Sequence, residues 1–526
     1  MTVYEGSIVT CDAAGGVHRY LVEDGGIIRF TGDSLPALYS SLPRTVLGEK
    51  SLLPAFADTH IHFMSWALFS AGLDVRAATT IAGVKATIAD FVRTSRAPVV
   101  LGFGASPHCV AEKRLITRAD IDDVASGRPV FIVKYDGHAA VANSALLALL
   151  DPKLKMLRGF DADSGLMTQE AFFRVTDFVT GKVSLPATLG NMLSAIDGLA
   201  AMGIGTIHSV TGVGFPMDLD VGLESLFARG LRNAVNYRLF FQTMDTGKVL
   251  KRGLPRIGGC FATALDGCFG SADAAMNEPY EAAAGLKAEA DHGVLYNTDA
   301  TVQSFCIEAN RKGLQIEMHA IGDAAFDQAV RALEAALDDF PRTDHRHTII
   351  HACLPTASGL ETCARLGIAI ALQPAFLDWE QEPLEYLGSI MGDRAMRLSP
   401  LRTMQDMGIV MAGGSDAPCT IPDPLEGIHA ACNHYVPGQS LGIQEALNLY
   451  TRNAAFIGFD DRERGSLEAG KIADMVVLDK NPLAQDPREL RNLKVEGLIL
   501  SGKPYRPGQG SAGLVIKGLF NRSRKI

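Results

Sequence analysis

Short apolar segments with strand character recur along the middle of the chain, and helix-like segments such as AFDQAVRALEAALDD separate them. Apolar strands that alternate with amphipathic helices indicate an α/β protein with a parallel sheet covered on both faces. Eight such strands favour a closed (β/α)8 barrel of the TIM type, with an open doubly wound sheet as the alternative. The segments are LLPAFADTHIH, GIGTIHSV, VNYRLFFQ, GGCFATALDG, LQIEMHAIGD, HTIIHACL, IAIALQPAF and GIVMAGGSDAP.

The two ends of the chain follow a different pattern from the middle. Residues 1–53 and 464–526 contain short alternating strands with glycine turns, for example HRYLVEDGGIIRFTGD and GSLEAGKIADMVVLDKNP. We therefore expect both ends to form one small composite β-sandwich domain, next to a barrel of residues 54–463. Residues from about 74 to 190 do not follow the strand–helix alternation, and we interpret them as a large insertion after the first barrel strand.

Charge and cysteine content limit the partners and the compartment. The formal net charge of −10 argues against nucleic acid or an anionic membrane surface as a partner. None of the nine cysteines forms a C-x-x-C pair, so they indicate reduced intracellular thiols. No signal peptide and no apolar run of membrane-spanning length is evident. We expect a cytoplasmic protein with a small-molecule substrate, no nucleic-acid or membrane partner, and homo-oligomerisation left open.

Four histidines and one aspartate lie at or just beyond the carboxyl ends of the predicted strands. In a (β/α)8 barrel these ends converge on the face that carries active sites, and residues at i and i+2 of a strand point to the same side. Three or four imidazoles with a carboxylate suit Zn²⁺, Fe²⁺ or Mn²⁺. A single strand-end histidine is more often structural, but four of only 13 histidines take these positions. A metal site is therefore favoured, formed by His60, His62, His319, His351 and Asp416.

Other types of catalytic site find less support in the sequence. GSLEAGKI approaches the phosphate-binding loop pattern, but Ile472 stands where a Mg²⁺-binding hydroxyl residue is needed, so a β-turn is the better interpretation. The chain has no G-x-S-x-G nucleophile elbow, no H-E-x-x-H and no dinucleotide fingerprint after a strand. The sequence therefore points to metal-assisted chemistry.

Several motifs resemble those of the amidohydrolase superfamily. They are PAFADTHIH, MHAIGD, IIHACL, GGSDAP and the C-terminal GSLEAGKIADMVVLD. Further stretches are similar to the branch of metal-dependent hydrolases that includes N-substituted formamide deformylase (amidohydrolase family 3), namely YDGHAAVANSAL, GLMTQEA, LDGCFGS, DPLEGIHAA and YTRNAA. The resemblance runs nearly end to end. It implies a metal-dependent barrel with a composite β-sandwich.

The resemblance also implies roles for individual residues. His138, in YDGH, matches a residue near the substrate, with a turn histidine of structural role as the alternative. Asp416 matches an aspartate that touches metal and moves protons, so the implied catalytic residues are Asp416, His351 and His138. The implied metal ligands are His60 and His62 on the first strand, His319 and His351 on the fifth and sixth, and Asp416 on the eighth.

One position departs from the family pattern and leaves the number of metal ions open. Many relatives carry a lysine about four residues before a DG pair, and its carboxylated side chain bridges two metals; here Ala262 stands at that position. Glu170, in GLMTQEA, is the first candidate for a replacement ligand, with a helix N-terminal capping role as the alternative. Cys260, Lys134 and Asp266 are further candidates. We expect one or two divalent ions, zinc before iron or manganese.

The hypothesis for function is metal-assisted hydrolysis of a C–N bond in an amide, N-acyl or N-formyl group. Asp416 would carry the proton from water to the leaving nitrogen, and the metal with His351 or His138 would polarise the carbonyl. A mononuclear deaminase or cyclic amidohydrolase on the same fold is an alternative. A non-catalytic binding protein is a further alternative. The set of histidines argues against it, because buried histidines without a metal would lack partners.

Other residues are expected around the metal and the substrate. Asp58 and Asp323 would orient the ligands through hydrogen bonds. The insertion, together with PAFLDWEQEPLEYL after the seventh strand, would form the roof of the pocket. Apolar side chains there indicate a partly hydrophobic substrate or, alternatively, packing of the insertion against the barrel. They are Trp66, Phe69, Phe376 and Trp379.

Overall fold

The protein contains the barrel that the strand pattern predicts. A computed structural model describes residues 1–231, 235–281, 291–508, 517–518, 520–521 and 526. Eight parallel strands form one sheet in which each strand pairs with its neighbour in chain order. They are Phe56–Ile61, Ile204–Thr211, Asn236–Phe241, Arg256–Ala264, Gln315–Ala320, Thr348–His351, Ala369–Leu372 and Met411–Gly413.

The first and eighth strands meet and nearly close the sheet. The backbone N–H of Asp416 donates to the carbonyl of His60 at 2.8 Å, and the N–H of His62 donates to the carbonyl of Ala417 at 3.0 Å. Ile61 and Ala417 form a parallel bridge. The predicted (β/α)8 architecture is therefore confirmed in preference to the open doubly wound sheet. The same contacts bring His60, His62 and Asp416 side by side.

Helices cover the outside of the barrel because their apolar faces pack on the strands. The helix Asp323–Asp339 buries Ala329 and Leu333 in the same apolar cluster as the strand residues Ile316 and Ile349. The helix Leu185–Ala201 begins at the end of the 74–190 segment and extends beyond it. The α-helices that lie wholly outside this segment are Phe63–Phe69, Leu219–Gly230, Thr246–Lys251, Asp299–Arg311, Asp323–Asp339, Ala357–Leu366, Leu384–Met391, Leu401–Asp406, Pro424–Cys432, Ile443–Leu449 and Arg452–Ile457.

A second sheet lies in the segment that the sequence assigns to an insertion. Along the strand Val130–Lys134, Phe131 and Val133 enter one apolar cluster and Ile132 enters another, so both faces of this sheet are covered. The boundaries at 74 and 190 stay predictions. The five strands are Leu73–Asp74, Val100–Ala105, Val130–Lys134, Ala139–Ala142 and Leu166–Thr168, and the helices are Ile81–Thr94, Arg118–Asp122, Ser144–Leu149 and Gln169–Thr180.

A third sheet joins strands from both parts of the chain outside the barrel. The strand Met475–Leu478 pairs antiparallel with Arg44–Pro54, so the C-terminal and N-terminal strands are hydrogen-bonded as one sheet. The predicted domain boundaries themselves stay predictions, and residues 509–516, 519 and 522–525 of the C-terminal segment lie outside the described residues. The seven strands are Thr2–Val9, Val17–Asp24, Ile27–Gly32, Arg44–Pro54, Met475–Leu478, Val495–Leu500 and Lys503–Pro504.

Two further features bear on the sequence-based expectations. All nine cysteines are free thiols, and all but Cys109 are buried. None of the helices in the described part of the chain has both the length and the apolar character that crossing a bilayer requires.

Candidate metal centre

The structure brings the five predicted strand-end residues together at the carboxyl end of the barrel. The Nε2 atoms of His60 and His62 each lie 3.2 Å from Oδ1 of Asp416. The ring centroids of His60 and His351 are 5.5 Å apart, and those of His319 and His351 are 4.5 Å apart. All five side chains are buried. Imidazoles from three strands therefore share one small space with one carboxylate.

Cys260, on the fourth strand, joins this group. The possible ligand atoms form two overlapping sets, and within each set all atoms lie within 4.8 Å of one another. Sγ of Cys260 lies 2.9 Å from Nε2 of His60 and 3.6 Å from Nε2 of His351. Among the described residues, Cys260 is the member common to both sets. The first set is His60, His62, Cys260 and Asp416, and the second is Cys260, His319 and His351.

Two buried polar atoms of this group have no hydrogen-bond partner. They are Nδ1 of His60 and Nδ1 of His319. A buried polar atom without a partner costs free energy, and a cation would satisfy those that face it. Imidazole nitrogen, thiolate sulfur and carboxylate oxygen are the donors that Zn²⁺ takes in proteins. The residues present therefore fit a divalent metal ion.

The electrostatics of His60, His351 and Asp416 favour the protonation states that bind metal, whereas burial raises the pKa of the Cys260 thiol and contact with Asp266 raises the pKa of His319. Burial lowers the pKa of His60 and lowers the pKa of His351 well below its ordinary value. Neutral imidazole is the form that coordinates a metal. Burial alone would raise the pKa of Asp416, but its contacts with His60 and His62 hold that pKa well below the usual range. The carboxylate is therefore ionised at neutral pH.

Hydrogen bonds from neighbouring groups fix two of the imidazoles. Nδ1 of His351 donates to Oε1 of Gln373 at 2.5 Å, and Nε2 of His319 donates to the carbonyl of Gly267 at 3.1 Å. Each bond leaves the other ring nitrogen available to a metal. The sequence analysis missed Gln373, whose only signal is its place directly after the seventh strand, Ala369–Leu372.

Asp58 connects the first and eighth strands beneath the candidate ligands. Its Oδ1 accepts the backbone N–H of His60 at 3.2 Å and that of Ser415 at 3.0 Å, and its Oδ2 accepts the hydroxyl of Ser415 at 2.5 Å. Burial raises the pKa of Asp58 to about 7. The orienting role proposed for Asp58 therefore acts through the backbone on which the ligands are carried, and not through an imidazole nitrogen.

Three other ligand candidates, and Asp323, which was expected to orient the ligands, do not join the ligand group, and each has a structural reason. Glu170 is exposed in the first turn of Gln169–Thr180, where the helix dipole favours a negative charge, so it is not placed to replace the lysine. Lys134 forms an ion pair with Asp136 at 2.7 Å. Asp266 accepts three backbone N–H groups of nearby loops, and its Oδ1 lies 3.4 Å from Nε2 of His319, so it contacts a candidate ligand and is not one itself. Asp323 accepts a backbone N–H outside the ligand group.

A pocket rich in aromatic side chains opens onto the candidate ligands His62, His319, His351 and Asp416. Its wall includes residues of the 74–190 segment and of the segment after the seventh strand, in agreement with the expected roof. Trp66, in contrast, packs against the barrel core and is not among the lining residues. The aromatic lining residues are Phe69, Phe103, Phe172, Phe173, Phe261, Phe269, Phe376 and Trp379.

His138 lies in the same pocket, close to the ligand group. Its ring centroid is 6.2 Å from that of His319 and 6.0 Å from that of Phe261. The backbone N–H of His138 donates to Oδ1 of Asp136 at 3.1 Å, and Lys134 pairs with the same carboxylate. The turn that carries His138 is therefore fixed, and its imidazole lines the space a substrate would occupy.

Comparison with known proteins assigns the family. The sequence profile described as "Amidohydrolase family" matches residues 47–505. The chain belongs to the amidohydrolase family. It is similar to the putative amidohydrolase YtcJ of Bacillus subtilis, with 27% identity over 92% of this chain and 94% of that protein. It is also similar to N-substituted formamide deformylase of Arthrobacter pascens, with 24% identity over 95% of this chain and 97% of that protein.

A solved structure shows the same fold as this family member. The uncharacterized metal-dependent hydrolase from Pyrococcus furiosus matches with a TM-score of 0.72 and 25% identity, over 92% of this chain and 99% of that one. The family and the barrel fold predicted from the motifs are therefore confirmed. Because the match covers 92% of this chain, most of the fold is shared with a metal-dependent hydrolase.

Proposed function

We propose that this protein hydrolyses a non-peptide C–N bond of the amide, N-acyl or N-formyl type with the help of a divalent metal. The observation that carries the proposal is the buried group of four imidazoles, a thiol and the Asp416 carboxylate at the base of one pocket. The family membership and the similarity to N-substituted formamide deformylase support the same chemistry. We propose zinc as the ion because the donor set contains nitrogen and sulfur.

The chain's own residues have distinct parts in this reaction. His60, His62, His319, His351 and Asp416 would hold the metal, which when bound supplies a Lewis acid that activates water near neutral pH. Asp416 accepts the proton of the attacking water at its carboxylate and donates it to the leaving nitrogen. The imidazole of His138 donates a hydrogen bond to the carbonyl oxygen as negative charge develops there. Water and amide thereby become a carboxylic acid and an amine.

The pocket disfavours an anionic substrate and favours an apolar or aromatic substituent. Its wall carries eight aromatic side chains of Phe and Trp. Among the described lining residues there is no lysine or arginine that would pair with a substrate carboxylate. A buried anion without such a partner would pay its desolvation cost uncompensated. We therefore propose that neutral aromatic or alkyl amides bind better than N-acyl amino acids of similar size.

A metal reconstitution assay with a substrate panel tests the proposal. Protein stripped with a chelator and reloaded with zinc is assayed on formamides, N-acyl amines, N-acyl amino acids, cyclic ureides and amino-heterocycles. We expect release of acid and amine from neutral N-acyl or N-formyl compounds, and loss of this activity after chelation. Ammonia release without acid, or ring opening alone, would instead identify a deaminase or a cyclic amidohydrolase.

The substitution Asp416→Asn tests the assigned proton carrier. Removal of a general acid–base group costs about 10²–10⁴-fold in rate, so we expect kcat to fall at least 100-fold. Asp220→Asn is the matched control, because Asp220 is also a buried aspartate but does not line the pocket. Near-normal turnover in Asp416→Asn would refute the assignment. Zinc-grown protein that holds no stoichiometric metal would instead favour the non-catalytic binding protein.

A further inference from the structure

Cys260 lies between two groups of candidate ligands that it alone connects among the described residues. On one side are His60, His62 and Asp416, and on the other are His319 and His351. The sulfur approaches Nε2 of His60 and Nε2 of His351, at 2.9 and 3.6 Å. A side chain in this position can donate to a cation in either group.

An irregularity in the fourth strand places this side chain. In the pairing of the fourth and fifth strands, Gly259 lies opposite Met318, but the next paired residue is Ala264, opposite His319. Residues 260–263 therefore stand outside the ladder as a bulge. Bulges of this kind redirect side chains next to active sites.

Specific contacts hold the bulge in place. Oε1 of Gln242 accepts the backbone N–H of Cys260 at 3.1 Å and that of Phe261 at 2.9 Å. The hydroxyl of Thr263 accepts the N–H of Gly259 at 2.8 Å and donates to a backbone carbonyl of the same strand pair. These hydrogen bonds therefore fix the position of the Cys260 thiol.

Two glycines make the bulge possible. Gly258 and Gly259 have φ angles of +108° and +140°, which other residues rarely adopt. A Cβ atom on Gly258 would lie 1.9 Å from the carbonyl oxygen of Glu317, and one on Gly259 would lie 2.8 Å from Cγ of Gln242. The backbone therefore approaches the neighbouring strands more closely than any side chain would permit.

We propose that the Cys260 sulfur is the shared ligand of two divalent ions, one held with His60, His62 and Asp416 and the other with His319 and His351. It takes the place of a carboxylated lysine, which Ala262 cannot provide. This inference rests on the metal centre of the proposed function and adds the bridging group and the number of ions. On binding, the S–H proton goes to solvent and two sulfur–metal bonds form, so the bridge carries the single negative charge of a thiolate.

The sulfur predicts a spectroscopic signature that oxygen ligands would not give. Metal-free protein is titrated with Co²⁺, and the near-ultraviolet absorption and the bound cobalt per chain are measured. We expect two cobalt ions per chain and a sulfur-to-cobalt charge-transfer band. Cobalt that binds at two per chain without this band would overturn the proposal while leaving the proposed hydrolase function intact. Wild-type protein that binds no cobalt would overturn both.

Variants of two buried cysteines distinguish the bridge from other thiols. Cys260→Ala and the near-isosteric Cys260→Ser should lose the band and bind fewer than two cobalt ions per chain. Cys353→Ser is the matched control, because Cys353 lines the same pocket but belongs to neither ligand set, and it should keep the band and both ions. If Cys260→Ala does not fold, Cys260→Ser provides the same comparison. A band that persists in either Cys260 variant refutes the bridge.

Thiol labelling of the unmodified protein gives an independent measurement. We expect an alkylating reagent to modify Cys260 in metal-free protein and to modify it at least tenfold more slowly after loading with zinc, as mapped by mass spectrometry. The rate at Cys353 should change much less. Equal protection of both cysteines, or loading that requires added bicarbonate as a lysine carbamate would, argues against a sulfur bridge.

Discussion

The substitution Gly258→Ala tests whether the fourth-strand bulge depends on a backbone that only glycine adopts. The φ angle of Gly258 is +108°, and an added Cβ would lie 1.9 Å from the carbonyl oxygen of Glu317. Backbone strain at such a position costs roughly 1–3 kcal/mol. Because a main-chain oxygen cannot turn away as a side chain can, the clash adds about 1–3 kcal/mol of overpacking. We expect a total loss of unfolding free energy of about 2–6 kcal/mol.

Gly253→Ala is the matched control for this effect. Gly253 also has a positive φ angle, +66°, but no heavy atom lies within 4 Å of a Cβ placed there. Its substitution should therefore lower the unfolding free energy only by the cost of a left-handed backbone conformation at alanine, about 1–2 kcal/mol. Both variants would be compared by denaturant unfolding of metal-free protein, followed by cobalt binding. Gly258→Ala should also lose the thiolate band, because the bulge that carries Cys260 is displaced.

The result that would refute this reasoning is equal behaviour of the two variants. If Gly258→Ala and Gly253→Ala lose the same unfolding free energy, the close approach of the fourth and fifth strands does not constrain position 258. If Gly258→Ala is strongly destabilised but keeps the cobalt–thiolate band, the bulge is needed for stability and not for placing the sulfur.

Three further predictions concern the residue that orients His351, a buried acid and the pocket. Gln373→Ala should weaken metal affinity about 10–100-fold, measured with a competing chelator, because His351 loses its orienting bond. Burial raises the pKa of Glu224 to about 8 from 4.5, so the folded state holds the extra proton and stability falls as pH rises through this window. Glu224→Gln should remove this pH dependence, which amounts to at most about 4–5 kcal/mol of unfolding free energy. The measurement is the unfolding midpoint of both proteins from pH 4 to 9. Phe173→Ala should raise KM for an aromatic amide at least fivefold more than for a small alkyl amide.

The barrel and most of the ligand positions could be predicted because their signals are local. Each barrel strand is a short apolar run, and each run appears in the sequence without knowledge of its partners. The convergence of His60, His319 and His351 then follows from one topological rule, that the carboxyl ends of parallel strands meet at one face. Asp416 follows from the same rule, and the resemblance to the family adds its proton-transfer role and the position of His138 near the substrate.

The replacement for the lysine could not be ranked from the sequence because it depends on non-local geometry. Glu170 was the first candidate, but whether a glutamate faces a metal or solvent is decided by how its helix packs, and here it is exposed. Cys260 was only one of several further candidates. The adjacent glycines before it are a recognised signal of a strand irregularity, and they could have given Cys260 priority. Gln373 has no comparable signal.

Side-chain length explains why the glycine pair and the cysteine occur together. A carboxylated lysine reaches a metal pair from a distance through its long aliphatic stem, so the strand beneath it can stay regular. The sulfur of a cysteine is the first atom beyond Cβ, and it reaches the same place only if the backbone itself moves inward. Gly258 and Gly259 permit that movement, and Gln242 satisfies the two N–H groups that leave the ladder. In the proposed bridge, Ala262 and the bulge at 260–263 are therefore two parts of one arrangement, in which the backbone supplies the reach that the side chain lacks.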